Sequence, residues 1–279
     1  MLGMLAFSDH SRSVAPATQT PQTPSARATT RRSVGALVLR EMTTTYGRSP
    51  GGWLWAILEP IAAIALLSFA FSLAFKSPPL GQSFALFYAT GFLPYMMFHD
   101  TAQKTALGLR FSKPLLSFSR VKLTDALFAR FALAFLINLA VFVVVIAGLI
   151  VWQAPNMRPE PASVAIALAM SAGLGLACGF LNCFLFTSFP AWERLWNIGL
   201  RPLFIVSGVV FLLEDVPANL QPYLQINPLF HVTGMMRAAM YPTYQPDYLS
   251  VSYVSVILIF LMVLGLLLID QNSGEMIEK

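Results

Sequence analysis

Residues Trp53–Phe75 read WLWAILEPIAAIALLSFAFSLAF, an apolar run interrupted by a single charged residue, Glu59. At 1.5 Å per residue, a helix of this length crosses a hydrocarbon core of about 30 Å. Trp53 and Trp55 mark one end of the run, and tryptophan is enriched where a membrane helix meets the interface. The stretch therefore predicts a transmembrane helix.

Five more apolar runs follow. The second is short and contains Gly91 and Pro94, and the fifth is interrupted at Arg201-Pro202. Hydrophobic residues make up 56% of the chain and charged residues only 11%, whereas a soluble domain carries about 25% charged residues. We therefore predict an all-α integral membrane protein with six transmembrane helices, at about 53–75, 83–98, 131–152, 162–189, 192–213 and 249–269.

The fourth run contains three closely spaced glycines, Gly173, Gly175 and Gly179. Small residues at such spacing let two membrane helices approach each other closely. We therefore predict that the fourth helix has a close helical neighbour.

The positive charges indicate how the helices are oriented. With six helices and both termini in the cytoplasm, all of the 18 Lys and Arg lie on the cytoplasmic side except Lys76, Arg158 and Arg237. Basic connections stay cytoplasmic during membrane insertion. The reverse orientation would carry nearly every positive charge across the membrane, so we predict that both termini are cytoplasmic. The longest basic connection, 100–130, then also lies in the cytoplasm.

The chain divides into a membrane domain, 31–270, and two flanking segments. Residues 1–30 are rich in Ser, Thr, Pro, Ala and Gln and predict a disordered cytoplasmic tail, and 271–279 predict a second cytoplasmic tail. Residues 31–48 have apolar residues at helical spacing among polar ones, which favours an amphipathic helix on the membrane surface. Its basic residues either contact lipid headgroups or recruit a phosphate-bearing lipid anchor; they are Arg31, Arg32, Arg40 and Arg48.

The outer segment, 214–247, does not have the composition of a simple loop. It holds few charges and five prolines, yet keeps apolar pieces that are too short to span a bilayer. Two interpretations are open: an outer loop on the headgroups, or two short helices that re-enter the membrane. Irregular backbone at membrane depth needs protein or a water-filled path around it.

The sequence has no motif for catalysis or for nucleotide binding. It lacks the phosphate-binding loop G-x-x-x-x-G-K-[ST], the metal pattern H-E-x-x-H and the nucleophile pattern G-x-S-x-G. We therefore predict no enzyme activity and no cofactor or metal site in this chain. The net charge of +5 sits beside the apolar runs, where membrane lipids are the expected partner and nucleic acid is not.

Glu59 is the clear case of an ionisable residue within an apolar run. A helix that starts at Trp53 places Glu59 about 9 Å into the cytoplasmic leaflet. Charged residues at such depth are usually paired and functional. We predict that Glu59, followed by Pro60, makes a gating or inter-helix contact in preference to binding substrate.

Two motifs resemble those of a known family. Tyr46–Pro60, YGRSPGGWLWAILEP, is similar to the Y-G-x-S-x-x-G-x-x-W-x-x-x-E-P-like pattern before the first span of ABC-2-type permeases that export polysaccharide. Leu224–His231, LQINPLFH, resembles the N-P-L-x-H segment before their last span, and Ser207-Gly208 matches their S-G pair. The resemblance covers about 31–270. It is strongest to the inner-membrane permeases of capsular polysaccharide exporters, followed by O-antigen exporter permeases.

The resemblance implies a multi-pass permease of the bacterial inner membrane. Two copies of this chain would form a channel, driven by two copies of a separate ATPase subunit that binds ATP and Mg. The surface helix 31–48 and the connection 100–130 would face that ATPase. The residues expected to couple the two subunits are Lys104, Arg110, Lys113, Arg120 and Lys122.

The resemblance also implies that the outer segment forms paired re-entrant helices that gate the exit. Asn227, Pro228, His231 and Arg237 would belong to this gate. The expected cargo is a lipid-linked capsular polysaccharide, passed on to periplasmic or outer-membrane export proteins. The alternatives are an O-antigen, a teichoic-type polymer, a smaller drug or lipid, or a membrane scaffold that transports nothing.

A polysaccharide needs a hydrated path, and aromatic rings can stack on the apolar faces of its sugars. The alternative for each such aromatic is that it faces lipid or another helix. The candidates for lining the channel are Phe69, Phe71, Phe75, Phe84, Phe87, Tyr88 and Phe92.

Overall fold

A computed structural model describes residues 52–111, 123–155 and 157–278 of the chain. The predicted tail 1–30 and the predicted surface helix with its four arginines lie outside the described residues. So do Lys113, Arg120 and Lys122 of the predicted coupling region.

The described residues form eight α-helices and contain no strand. A further helical stretch follows α2 at 108–111, and a 3₁₀ turn occupies Leu213–Asp215. The helices are α1 Gly52–Ala74, α2 Phe84–Ala106, α3 Leu123–Gln153, α4 Pro161–Ser188, α5 Pro190–Val206, α6 Gln221–Gln225, α7 Pro228–Met240 and α8 Val251–Glu278.

Four of these helices are long and apolar enough to cross a membrane: α1, α3, α4 and α8. This confirms the prediction of an all-α, multi-pass membrane protein. The other two predicted spans correspond to α2, whose last turns carry polar residues, and α5, whose 17 residues reach only about 26 Å. The count of six spans therefore stays a prediction.

The structure moves several predicted boundaries. The fifth helix was expected to continue to 213, but it ends at Val206, because Gly208 turns the chain with a φ of +70°. The connection 100–130 is shorter than expected, since α2 continues to Ala106 and α3 already begins at Leu123. Helix α8 continues through most of the predicted C-terminal tail, to Glu278.

Helix α2 lies at the centre of the fold. It packs against α1, α3, α4 and α7, and most of its residues between Leu86 and Ala106 are buried. Its first turn is capped by Ser83, whose hydroxyl accepts a hydrogen bond from the Leu86 amide at 3.2 Å. Because α2 is central, the residues at both of its ends contact other helices.

Two glycines bring α4 against α2. A Cβ atom on Gly179 would lie 2.6 Å from Thr105, and one on Gly175 would overlap the Thr101 side chain. Ser171 of the same helix donates a hydrogen bond of 2.5 Å to the carbonyl of Pro94. The prediction of a close helical neighbour for the fourth helix is therefore confirmed. The neighbour is α2 at Gly175 and Gly179, and α8 at Gly173, where a Cβ atom would lie 2.5 Å from Leu258.

Candidate functional site

Three of the four candidate gate residues, Asn227, Pro228 and His231, lie at the start of α7, and Arg237 lies in its last turn. Asn227 is the N-cap: its side-chain oxygen accepts a hydrogen bond from the Leu229 amide at 3.0 Å. Pro228 occupies the first helical position, where a missing N–H costs no hydrogen bond. The N-P-L-x-H motif therefore specifies a helix start.

The same residues hold the turn that follows α5. The Asn227 amide donates to the Ser207 hydroxyl at 3.1 Å, and the Thr233 hydroxyl donates to the Ser207 carbonyl at 2.7 Å. Gly208 then packs under the Phe230 ring, where a Cβ atom would lie 2.6 Å from the ring. The two short motifs that the sequence singled out are thus in direct contact.

Arg237 fastens this turn to α7 and α2. Its guanidinium donates hydrogen bonds of 2.9 Å to the carbonyls of Val209 and Phe211, and it lies 4.2 Å from the centre of the Phe87 ring. Only 2% of Arg237 is exposed, and it belongs to none of the ion pairs found among the described residues. Gly91 permits the contact, since a Cβ there would lie 3.0 Å from Val209. We name this arrangement the outer junction, after the predicted outer segment 214–247 that contributes to it: Phe87, Gly91, Ser207–Phe211, Asn227, Thr233 and Arg237.

His231 links α7 to the segment before α8. Its Nε2 lies 2.8 Å from the Gln225 carbonyl, and its Nδ1 accepts a hydrogen bond of 3.3 Å from the Ser250 amide. In this pairing Nε2 faces a carbonyl and Nδ1 faces an amide N–H, so both ring nitrogens have a partner. The imidazole is 4% exposed. It therefore acts as a structural bridge between the ends of α6 and α8.

Three tyrosines lie in the segment between α7 and α8. Burial raises the pKa of the Tyr241, Tyr244 and Tyr248 hydroxyls, so all three stay neutral in the physiological range. Tyr244 and Tyr248 lie within 3.4 Å of each other through their hydroxyls. These side chains supply hydrogen-bonding groups without charge.

The opposite end of α2 carries a polar cluster. Asp100 accepts hydrogen bonds from Lys104 at 3.1 Å and from Asn138 of α3 at 3.2 Å, with His99 also 3.3 Å away. Lys104, predicted to contact an ATPase, is therefore paired within its own helix. No local pattern indicates the contact between Asp100 and Asn138, because the two residues are 38 positions apart.

Arg110 pairs across the bundle with α5. Its guanidinium makes two hydrogen bonds to the Glu193 carboxylate, at 3.1 and 2.6 Å. Gln103 of α2, about two turns before Arg110, donates to Asn197, which lies one turn after Glu193 in α5, at 2.7 Å. We call these two contacts the α2–α5 latch. Sequence reasoning singled out Arg110 but missed Glu193 and Asn197, which lie 83 and 94 residues away.

The remaining candidates are spread along α1 and α2. Pro60 is buried and Glu59 is exposed, with no hydrogen bond to another described residue. The aromatic candidates fall into three groups. Phe87, Tyr88 and Phe92 are buried, Phe71 and Phe84 are partly buried, and Phe69 and Phe75 are exposed. Whether any of them lines a channel stays a prediction.

Residues 32–241 match the model of the ABC-2 type transporter family, and the chain belongs to this family. It is therefore a membrane permease of that class. It is 31% identical to the polysialic acid transport protein KpsM of Escherichia coli over 249 residues, 88% of this chain and 96% of that protein.

Two further relatives match over nearly the same range. The capsule polysaccharide export inner-membrane protein CtrC of Neisseria meningitidis serogroup A is 28% identical over 87% of this chain and 92% of that protein. The capsule polysaccharide export inner-membrane protein BexB of Haemophilus influenzae is 24% identical over 87% of this chain and 91% of that protein. The family resemblance expected from the sequence motifs is confirmed.

Proposed function

We propose that this chain is the permease subunit of an ATP-driven exporter that moves lipid-linked capsular polysaccharide across the bacterial inner membrane. The observation that carries the proposal is its similarity, over 87 to 88% of its length, to three proteins named for polysialic acid transport or capsule polysaccharide export. The cargo passes on to periplasmic or outer-membrane export proteins.

Two copies of the chain form the path for the polymer. A hydrated glycan cannot cross lipid, so it needs a conduit wider than the packed interior of one bundle. Helix α1 supports a dimer, because its exposed residues outnumber its buried ones and include Leu66 and Leu73, which are 68% and 75% exposed. In the assembly, α1 faces the second copy on one side and lipid on the other.

The energy comes from two copies of a separate ATPase, which binds ATP and Mg. The cytoplasmic end of α2, with the region that follows it, is the proposed contact. Movement there reaches α5 through the α2–α5 latch, since Arg110, in the helical stretch just after α2, makes two charged hydrogen bonds to Glu193 of α5. Lys113, Arg120 and Lys122 complete the proposed ATPase-facing surface.

The outer junction is the proposed exit gate. Helix α5 connects directly to the turn 207–211, and α7 holds this turn through Asn227, Thr233 and Arg237. A shift of α5 at its cytoplasmic end therefore moves the turn and α7 together. Contact of the turn with Gly91, about 10 Å along α2, supports a re-entrant position for α7.

The test compares surface and intracellular polysaccharide in cells that lack this chain with a complemented control. Polymer lost from the surface and accumulated inside is the expected result. Unchanged surface polymer would point to the smaller cargo instead, and loss in both places would point to a scaffold for synthesis.

A further inference from the structure

Two cavities adjoin at the outer end of α2. One, of about 340 Å³, lies between the start of α2, the end of α3 and the segment that follows α7, where Tyr241 forms part of its wall. The other, of about 500 Å³, opens towards α1 at Phe69. Three residues line both: Gln82, Ser83 and Gln153. We call the combined surface the outer groove.

The groove is polar but uncharged. No residue that lines either cavity in the described part of the chain carries a charged side chain. The polar groups are amides and hydroxyls, each able to donate and accept hydrogen bonds. Phe69 and Phe84 add flat apolar surfaces at one end. Amides beside aromatic rings suit a sugar, which presents hydroxyls at its edge and an apolar ring face.

Two of the polar groups make no hydrogen bond to another described residue. Gln82 is exposed, and its amide makes no hydrogen bond to another described residue. Tyr241 is 7% exposed, and its hydroxyl is buried without a partner in the described structure. A buried hydroxyl without a partner costs stability, and a ligand can relieve that cost. Gln153, in contrast, already contacts the Ser83 hydroxyl.

We propose that the outer groove binds a short stretch of uncharged sugar units, with Gln82 and Tyr241 bonding ring hydroxyls and Phe69 and Phe84 packing on ring faces. The proposal rests on the proposed export function and adds where the glycan is held as it leaves. A groove of neutral groups binds weakly enough for a chain to slide, because each contact is a single hydrogen bond.

The test is a binding titration on the full-length chain in lipid nanodiscs. The probe is a short oligosaccharide cut from the surface polymer of the same strain. Gln82→Ala and Tyr241→Phe each remove one ligand hydrogen bond and no internal one, so each should raise Kd about fivefold. Gln82→Ala should keep the thermal stability of the native chain, and Tyr241→Phe should keep or raise it, because the hydroxyl that it removes has no partner in the described structure.

Matched controls are Asn219→Ala and Tyr223→Phe. Both residues are exposed on the outer segment and line neither cavity, so their Kd should equal that of the native chain. Affinity should also stay constant from low to high salt, because no charge is involved. Three results would contradict the proposal. They are an affinity that falls with salt, native affinity in both groove variants, and no binding by the native chain.

Failure of the groove is distinguishable from failure of the export function. If deletion of the chain removes surface polymer while the groove variants bind normally, only the groove assignment is wrong. If deletion leaves surface polymer unchanged, the export function itself is wrong.

Discussion

Gly208 shows how a single residue shapes the outer junction. Its φ of +70° is a left-handed conformation, and its α-carbon packs against the Phe230 ring. Any side chain there meets both backbone strain and a steric overlap. We predict that Gly208→Ala lowers the free energy of unfolding by about 2–4 kcal/mol and reduces export. The measurement is reversible unfolding of the purified chain in mixed micelles.

Gly199 provides the matched control. It lies in α5, and a Cβ atom there would meet nothing within 4 Å. Gly199→Ala should leave stability unchanged or raise it slightly, because alanine favours a helix. Equal stability of the two variants would contradict the role given to Gly208.

Arg237 is a buried cation whose partners are carbonyls and an aromatic ring. Lysine keeps the charge but loses the fork that reaches Val209 and Phe211 together. We predict that Arg237→Lys costs about 2–3 kcal/mol of stability and lowers surface polymer. Unfolding midpoints and a surface polymer assay measure both effects. Arg158→Lys, at an exposed position, is the control, and native behaviour of Arg237→Lys would refute the assignment.

At the scale of elements, α2 and α5 move as a pair if the latch transmits force. The latch is partly exposed, with side-chain exposures of 52% for Arg110 and 25% for Glu193, so it adds under about 1 kcal/mol to stability. We predict that Arg110→Glu or Glu193→Arg alone leaves the fold intact but lowers ATP-driven export severalfold. The exchanged pair, Arg110→Glu with Glu193→Arg, should restore most of it.

The readouts for the latch are export and ATPase stimulation in proteoliposomes. Arg201→Glu, at an exposed position of α5, is the control for charge reversal on the same helix. If the double variant is as defective as either single one, the pairing does not carry the coupling.

The elements differ in how far local sequence predicts them. Helices α1, α3, α4 and α8 follow from apolar length, and the start of α7 follows from Asn227-Pro228, because these signals lie within the segment itself. The predicted end of α5, at 213, was wrong by seven residues, because the helix ends at Val206. Its true end depends on Gly208 and on bonds from Thr233 and Arg237, which are tertiary contacts.

The candidate site was predictable to a similar extent. Asn227, His231 and Arg237 were named from a motif. Asn227 does meet Ser207 in space, and Arg237 reaches Val209 and Phe211 in the same turn, but His231 bridges Gln225 and Ser250 instead. Partners such as Phe87 and Glu193 were not predictable as partners, because nothing in the sequence specifies which distant residue faces Arg237 or Arg110. Local sequence patterns identify the side chains that need a hydrogen-bonding or charged partner. The three-dimensional fold determines which distant residue that partner is.

For the whole molecule, the packing of α2 bears on the number of spans. Its first residue follows Ser83, which contacts Gln153 at the end of α3. Asp100, about three-quarters of the way along α2, bonds Asn138 at the middle of α3. Helix α2 thus runs antiparallel to a helix that is long enough to cross the membrane. Its 23 residues extend about 35 Å. These contacts support a crossing α2, although its polar last turns set it apart from the strongly apolar helices.

The two topologies differ at Arg158. If α2 and α5 cross, 154–160 lie outside and the basic end of α2 lies in the cytoplasm, in keeping with the charge rule. If neither crosses, 154–160 lie in the cytoplasm and the basic end of α2 lies outside. We predict that Arg158→Cys, in a chain whose Cys178 and Cys183 are replaced by Ser, reacts with a membrane-impermeant maleimide in intact cells. Gln271→Cys, cytoplasmic in both topologies, should react only after permeabilisation. Arg158→Cys that reacts only after permeabilisation would leave α2 on one side of the membrane, and the coupling surface would then face away from the ATPase.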